Sequence, residues 1–231
     1  MHVPDGFLDA PTSVATGVVA AAGVGLALRK ARAELDDRTA PMAGLVATFV
    51  FATQMLNFPV GLGTSGHLLG GALAAVLVGP WTGILSVSVV LLVQALLLAD
   101  GGITALGTNI TLMSLVGLVV GWLVFRGLQR VLPKRVGLVP VLAAAGAFVS
   151  VPAAALAFTG LYAVGGTAPI PLDTLAAAML GWHTLIGVGE AVITGLVVGS
   201  VVAVRPDLVY GARPALAVRT LEIRSDAGAS A

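Results

Sequence analysis

The sequence predicts an all-α integral membrane protein, a bundle of about seven transmembrane helices with a glycine-rich loop re-entering from the outer side. Three observations predict it. Of the 231 residues, 58% are hydrophobic and only 10% charged, with a mean hydropathy of +1.03, a composition that places the chain among integral membrane proteins. Four stretches hold no Asp, Glu, Lys or Arg: between Arg38 and Asp100, from Gly101 to Phe125, from Val136 to Leu172 and from Ala191 to Val204. The twelve basic residues fall into three groups that share one side of the membrane only if an even number of spans separates them. The apolar runs are long and continuous instead of alternating, which favours helices over barrel strands.

The first span, Thr12 to Leu28, carries Gly17, Ala21 and Gly25 at every fourth position. Such a stripe lets another helix approach closely, from this chain or from a separate subunit. Its basic residues, Arg29, Lys30, Arg32 and Arg38, follow the apolar run, so it is expected to be a mature span and not a signal peptide. The second span is Pro41 to Leu56. The third, Gly66 to Val78, covers only roughly 20 Å of a bilayer core roughly 30 Å thick. Part of NFPVGLGTSGHLLGG must therefore dip into the membrane, where irregular backbone is tolerated only against protein or a cavity. His67 is expected to face that cavity.

The fourth span is Trp81 to Ala99 and the fifth Thr108 to Phe125, followed by Arg126, Arg130, Lys134 and Arg135. The sixth is Leu138 to Tyr162 and the seventh Ala176 to Val204, followed by Arg205, Arg213, Arg219 and Arg224. Basic residues stay on the cytoplasmic side of short connections, which puts the N-terminus outside and the C-terminus inside a prokaryotic plasma membrane. A five-span arrangement satisfies the same parity. Residues 1–205 read as a single polytopic domain and 206–231 as a loose cytoplasmic tail.

This orientation sets Met1 and His2 at the outer face. A histidine at position two offers three nitrogens in sequence: the terminal amine, the His2 amide and the His2 imidazole. Amine and amide close a five-membered ring on a metal, amide and the near imidazole nitrogen a six-membered one, and a fourth nitrogen completes a plane. Square-planar nitrogen sites suit Ni(II) or Cu(II), and imidazole also suits cobalt and zinc. For His2 alone, a solvated terminal residue is the ordinary reading. With only three histidines in the chain, His67, after GTSG, is the natural fourth donor. His183 and Glu190 share one side of the last helix, and Glu190 fits either a hydrogen bond to a ligand or a buried helix-to-helix pair. Gln54, Asn57, Gln94, Asp100 and Asn109 sit near the outer ends of their spans, where interhelical hydrogen bonding is the ordinary role.

Absences narrow the function. With no cysteine, thiolate chemistry and iron–sulfur clusters are excluded. No GxxxxGK[ST] occurs, so the chain cannot hydrolyse ATP through a P-loop. No Ser, His and acid arrangement stands out as a hydrolase, and no basic aromatic patch suggests nucleic acid.

MHVPDGFLD at the N-terminus, GTSGHLLGGALAAVLVGPW from Gly63, QALLLADGGITALGTNI from Gln94 and HTLIGVGEAVITG from His183 together resemble the CbiM and NikM substrate-binding components of energy-coupling factor transporters for cobalt and nickel. The resemblance covers nearly the whole chain. It implies a seven-helix subunit that captures Ni2+ or Co2+ at its outer face. The implied partners are a transmembrane coupling subunit, cytoplasmic ATPase subunits and often a small accessory membrane protein. It also implies a planar set of four nitrogens from Met1, His2 (amide and imidazole) and His67, with Asn57, Ser65, Asp100, Asn109, His183 and Glu190 ordering the site. PDG at Pro4 to Gly6 is closer to nickel-type members. Two other readings stay open: a self-sufficient cation channel or permease, and an intramembrane enzyme using His67, His183 and Glu190.

Overall fold

The computed structural model describes residues 1–36, 39–61 and 64–217, and for residues 58, 59, 61, 64 and 65 the backbone alone. It is an all-α membrane fold. Helix α1 is Ala10–Lys30 and α2 is Thr39–Gln54; a short antiparallel hairpin, β1 (Phe58–Gly61) and β2 (Thr64–Gly66), follows. Then come α3 (Gly71–Val78) and α4 (Pro80–Leu97). Next, α5 (Leu106–Asn109) runs through a π-helical stretch, Ile110–Gly117, into α6 (Leu118–Val131). Finally, α7 (Val139–Gly165) and α8 (Leu172–Val204) form a long antiparallel pair.

Among the described residues, five helical stretches are long and apolar enough to cross a membrane: Ala10–Ala33, Pro80–Leu97, Leu106–Val131, Val136–Gly165 and Leu172–Val204. The apolar α2, at 16 residues, is shorter. The third expected span is corrected: residues 66–70 are not helical, and α3 has only 8 residues. All eight are buried, so α3 lies inside the bundle at about 12 Å of length. Residues 66–70 can stay non-helical because protein surrounds them, with Gly66, His67, Leu69 and Gly70 all buried, as membrane depth requires.

Both ends of α3 are fixed by carboxylates. At its start the Glu190 carboxylate accepts from the amides of Leu69 (2.8 Å) and Gly70 (2.6 Å). Beyond its end, Glu34 accepts from the amides of Trp81 (3.3 Å) and Thr82 (2.7 Å), the first turn of α4. An anion there satisfies donors that a helix start leaves open. Gly79, at φ +97°, makes the break between the two helices, and a Cβ on it would stand 2.6 Å from Glu34 Cδ.

The small-residue stripe of α1 is not its inward face. Thr12, Thr16, Ala20 and Ala27 are buried, whereas Ala21 is exposed and a Cβ on Gly25 would meet nothing within 4 Å. Gly17 alone makes a close internal approach, to Gly107. The buried row carries hydrogen bonds as well as packing: Thr16 Oγ1 to Thr108 Oγ1 at 2.7 Å and Thr111 Oγ1 to the Thr16 carbonyl at 2.9 Å.

The tail expected to be loose from residue 206 is packed at its start. Pro206–Leu208 and Tyr210–Ala212 form short 3-10 turns, and Val209 and Ala212 are fully buried. Gln129 Nε2 donates to the Gly211 carbonyl at 2.7 Å, tying this segment to α6. Residues 218–231 lie outside the described part of the chain.

Candidate metal centre

The first nine residues are not a free arm. Asn109 Nδ2 donates to the Val3 carbonyl at 3.1 Å, Asn109 Oδ1 accepts from the Val3 amide at 2.8 Å, and the Gly102 amide donates to the Val3 carbonyl at 3.1 Å. Two residues on, the Asp5 carboxylate accepts from the amides of Ile103 (3.2 Å) and Thr104 (2.7 Å). Further along, Leu8 bridges to Gly166, and the Thr167 amide donates to the Phe7 carbonyl at 3.1 Å. The segment is threaded between the loops at this end of the bundle. Met1 and His2 are consequently buried, at 1% and 5% exposure, and His67 is completely enclosed.

The two imidazoles meet. The ring centroids of His2 and His67 are 4.5 Å apart, tilted by 33°. His67 Nδ1 lies 2.7 Å from the Leu68 carbonyl, which can only accept, so Nδ1 carries the proton and Nε2 is the open nitrogen. His2 Nε2 lies 3.2 Å from Gln94 Oε1; with the Gln94 carbonyl oxygen as the acceptor, Nε2 carries the proton. His2 Nδ1, the nitrogen nearest the chain's own amides, is then open. Neither His2 Nδ1 nor His67 Nε2 has a hydrogen-bond partner among the described residues. Buried nitrogens with free lone pairs are what a metal ion uses, and outer hydrogen bonds that fix the tautomer are how such ligands are prepared.

The electrostatics favour neutral donors. Burial lowers the Met1 amine from its ordinary 8.0 to about 4, against the attraction of Asp100 and Glu190. Burial and the nearby amine lower His2 from 6.5 to about 3, and His67 is held well below its usual value, chiefly by burial. Asp100 Oδ1 is 3.3 Å from His2 Nδ1. With His2 neutral this is not an ion pair but a carboxylate facing an open nitrogen, and burial raises the Asp100 pKa. A cation between the two relieves that opposition.

Several other expected site residues meet here. Asn57 Nδ2 is 3.4 Å from Asp100 Oδ1, Asn109 holds Val3, and Glu190 holds the two amides that follow His67 by two and three residues. His183 is buried, with Nδ1 2.8 Å from the Met179 carbonyl and Nε2 unpartnered among the described residues. Of Ser65 only the backbone is described, paired with Pro59 in the hairpin; its side chain lies outside the described part. The stripe Gly17, Ala21, Gly25 has no part in this centre. Among the described residues no three His, Cys, Asp or Glu side chains form a ligand cluster, so His67, His183 and Glu190 do not make a side-chain metal site.

Sequence reasoning placed Gln94 and Gln54 as helix packing, and the structure gives both a specific task. Gln94 touches His2, and its carbonyl accepts from the amides of Leu98 and Asp100, both at 3.1 Å, across Ala99 at φ +52°. Gln54 Nε2 donates to the Leu69 carbonyl at 2.7 Å, so Leu69 is held on both sides of its backbone. The close approach of the 100–102 loop depends on glycine: Gly101 sits at φ +89°, and a Cβ on it would stand 2.8 Å from His2 Cδ2.

Comparison with known proteins agrees with this architecture. The chain is 34% identical to the fused nickel transport protein NikMN of Rhodobacter capsulatus over 242 residues, covering 99% of this chain and 70% of that one. It is 37% identical over 133 residues to the cobalt transport protein CbiM of Geobacter sulfurreducens, covering 56% of this chain and 38% of that one. A solved structure described as a transition metal transporter superposes with a TM-score of 0.79 at 33% identity, covering 87% of this chain and 92% of that one. A family model described as the cobalt uptake substrate-specific transmembrane region matches residues 2–208, almost the whole bundle from His2 onward, and the chain is therefore a member of that CbiM family.

Proposed function

We propose that this protein captures Ni2+ or Co2+ at its outer face through a planar nitrogen site and passes it inward as the substrate-binding subunit of an ATP-driven importer of the energy-coupling factor type. The metal is the transported substrate. Met1 supplies its amine, His2 its amide and Nδ1, and His67 its Nε2. The observation that carries this reading is the pair of buried, unpartnered imidazole nitrogens on two rings 4.5 Å apart beside a buried N-terminus.

The chemistry is ligand exchange, with no covalent step. Amine and imidazole are already neutral in the buried site, and the amide gives up its proton as the metal enters. Without a nucleotide-binding motif of its own, the chain takes energy from ATPase subunits through a transmembrane coupling partner, and a small accessory membrane protein completes the assembly. The R. capsulatus relative, named a fused nickel transport protein, supports nickel as a substrate.

Isothermal titration of the detergent-purified protein with Ni2+ and Co2+ tests the reading, comparing the native N-terminus with one extended by two residues ahead of Met1. Extension abolishes binding if the amine is a ligand. Equal binding by both forms removes the amine from the site and sinks the planar arrangement. The metal held more tightly by the native form identifies the substrate.

A further inference from the structure

A cavity of about 230 Å³ lies at the opposite end of the bundle from the metal centre, between the end of α6 and the start of α7. Four cations line it: Arg126, Arg130, Lys134 and Arg135. Its other walls include apolar side chains, Val139 and Leu142 among them. We infer that this cavity binds a phosphate group, and that its source is the headgroup of an anionic inner-leaflet lipid.

The cations are not neutralised from within. The described ion pairs of Arg205 and Arg213 are with Asp207 and Asp36, and no described carboxylate lies within 4 Å of any of the four. Arg126 is fixed in place. Its Nη1 donates to Gln129 Oε1 at 2.8 Å, and its guanidinium stands 5.6 Å over the Trp122 ring. Gln129 is in turn held by Gly211 at 2.7 Å, so one wall presents a guanidinium at little further entropic cost, in the planar form that suits phosphate. The C-terminal dipole of α6 alone explains a cation at Arg130. It does not explain Lys134 and Arg135, which lie beyond the helix end and bring the charge around the cavity to four.

Location favours a lipid over a soluble phosphate. The cavity lies between the end of α6 and the start of α7, on the side that the basic residues assign to the cytoplasm, where two successive spans are expected to reach the inner-leaflet headgroups. Basic pockets between helices at that level suit anionic headgroups. Apolar walls beside the cations match a ligand that is charged at one end and apolar at the other. The inference is independent of the metal reading.

Native mass spectrometry of the full chain from non-ionic detergent, with phosphatidylglycerol, phosphatidylcholine or inorganic phosphate added, tests it. The wild type retains phosphatidylglycerol in preference to phosphatidylcholine, and Lys134→Gln/Arg135→Gln weakens that retention roughly 30-fold, from about a factor of five for each charge. Arg29→Gln/Lys30→Gln, which removes two cations at the end of α1 outside the cavity, leaves it within roughly twofold. Equal losses in both double variants mean a diffuse surface charge and overturn the site, as does equal retention of the two lipids. If inorganic phosphate binds with the same dependence on Lys134 and Arg135 while phosphatidylglycerol does not, the phosphate site stands and the lipid source falls. If lipid retention is unchanged in the Lys134/Arg135 variant but a coupling subunit no longer co-purifies, the cations serve a protein interface and the inference is wrong. A melting temperature matching the wild type shows that the variants are folded.

Discussion

Asn109 holds Val3 through both atoms of its amide, accepting from the Val3 nitrogen at 2.8 Å and donating to the Val3 oxygen at 3.1 Å. The contact joins residues 106 apart in sequence and lies one residue after His2, so it fixes where the terminal nitrogens stand. Asn109 is almost fully buried.

Asn109→Asp keeps the acceptor and replaces the donor with a second oxygen facing the Val3 carbonyl. The Val3 carbonyl keeps the Gly102 amide, so the direct loss is one buried hydrogen bond, about 0.5–1.5 kcal/mol. The expected outcome is a lower melting temperature together with weaker Ni2+ binding, by at least roughly tenfold, because the N-terminal donors lose their register. Titration calorimetry and thermal unfolding check the two effects separately. Unchanged affinity in a folded Asn109→Asp protein means that the clamp does not position the site.

Glu190 acts on the other half of the centre. Its two oxygens take the Leu69 and Gly70 amides, and hydrogen bonds to a charged group are worth about 1.5–3 kcal/mol. Glu190→Gln turns one acceptor into a donor against an amide. Stability is expected to fall by about that amount, and metal affinity with it, because the loop that places His67 is loosened. His67→Ala is the contrasting variant: binding is lost while the melting temperature of the metal-free protein stays close to wild type. The prediction fails if Glu190→Gln loses stability but binds metal as before.

The membrane class was legible in the sequence, because bilayer insertion leaves a coarse signal in composition, and His2 and His67, singled out by position, stand with ring centroids 4.5 Å apart. Other features were not. Residues 66–70 read as the start of a span, but the left-handed Gly70 (φ +75°) and the capping of Leu69 and Gly70 by the Glu190 carboxylate, far along the chain, make the helix begin at Gly71. The α1 stripe read as a docking face for an internal or a separate helix, and within this chain the inward row is Thr12, Thr16 and Ala20. A threonine that bonds across helices packs as well as a glycine, and composition does not distinguish the two faces. Gln94 looked like any interhelical amide, since nothing in a single sequence says that His2 returns to it across 92 positions.

Proton release measures the state of the donors. The Met1 amine and His2 have folded-state pKa values of about 4 and about 3, depressed below 8.0 and 6.5, so both are neutral in the folded protein between about pH 5 and 8. Only the amide proton then leaves on binding, and affinity rises roughly tenfold per pH unit across that window, the slope for one proton. Titrations in buffers of different ionisation heat should return close to one proton per metal. Two or three released protons would show that the amine and imidazole are charged before metal arrives. The metal-free protein carries the same signature. An unfolded chain takes up protons on these groups as pH falls from about 8 to about 4, and the folded chain does not, so stability declines with falling pH over that range.

Gln94 decides which nitrogen of His2 is open. Its Oε1 accepts from His2 Nε2 at 3.2 Å, which keeps the proton away from Nδ1. In Gln94→Leu the Nε2 proton loses its partner, while Asp100 Oδ1 still stands 3.3 Å from Nδ1. The proton moves to Nδ1 to bond the carboxylate, and the nitrogen proposed to coordinate is blocked. Loss of such an outer partner is expected to cost roughly 10–100-fold in metal affinity. Gln94→Glu retains an acceptor and makes the imidazole a stronger donor, so its affinity should be at or above wild type. A purely structural role for Gln94 would weaken binding in both variants, since a buried carboxylate disturbs packing at least as much as leucine does. Nitrogen-15 chemical shifts of the His2 ring report the tautomer directly: the Nε2-protonated form is expected in wild type and Gln94→Glu, and the Nδ1-protonated form in Gln94→Leu. An unchanged tautomer in Gln94→Leu would transfer the orienting role from Gln94 to the N-terminal backbone itself.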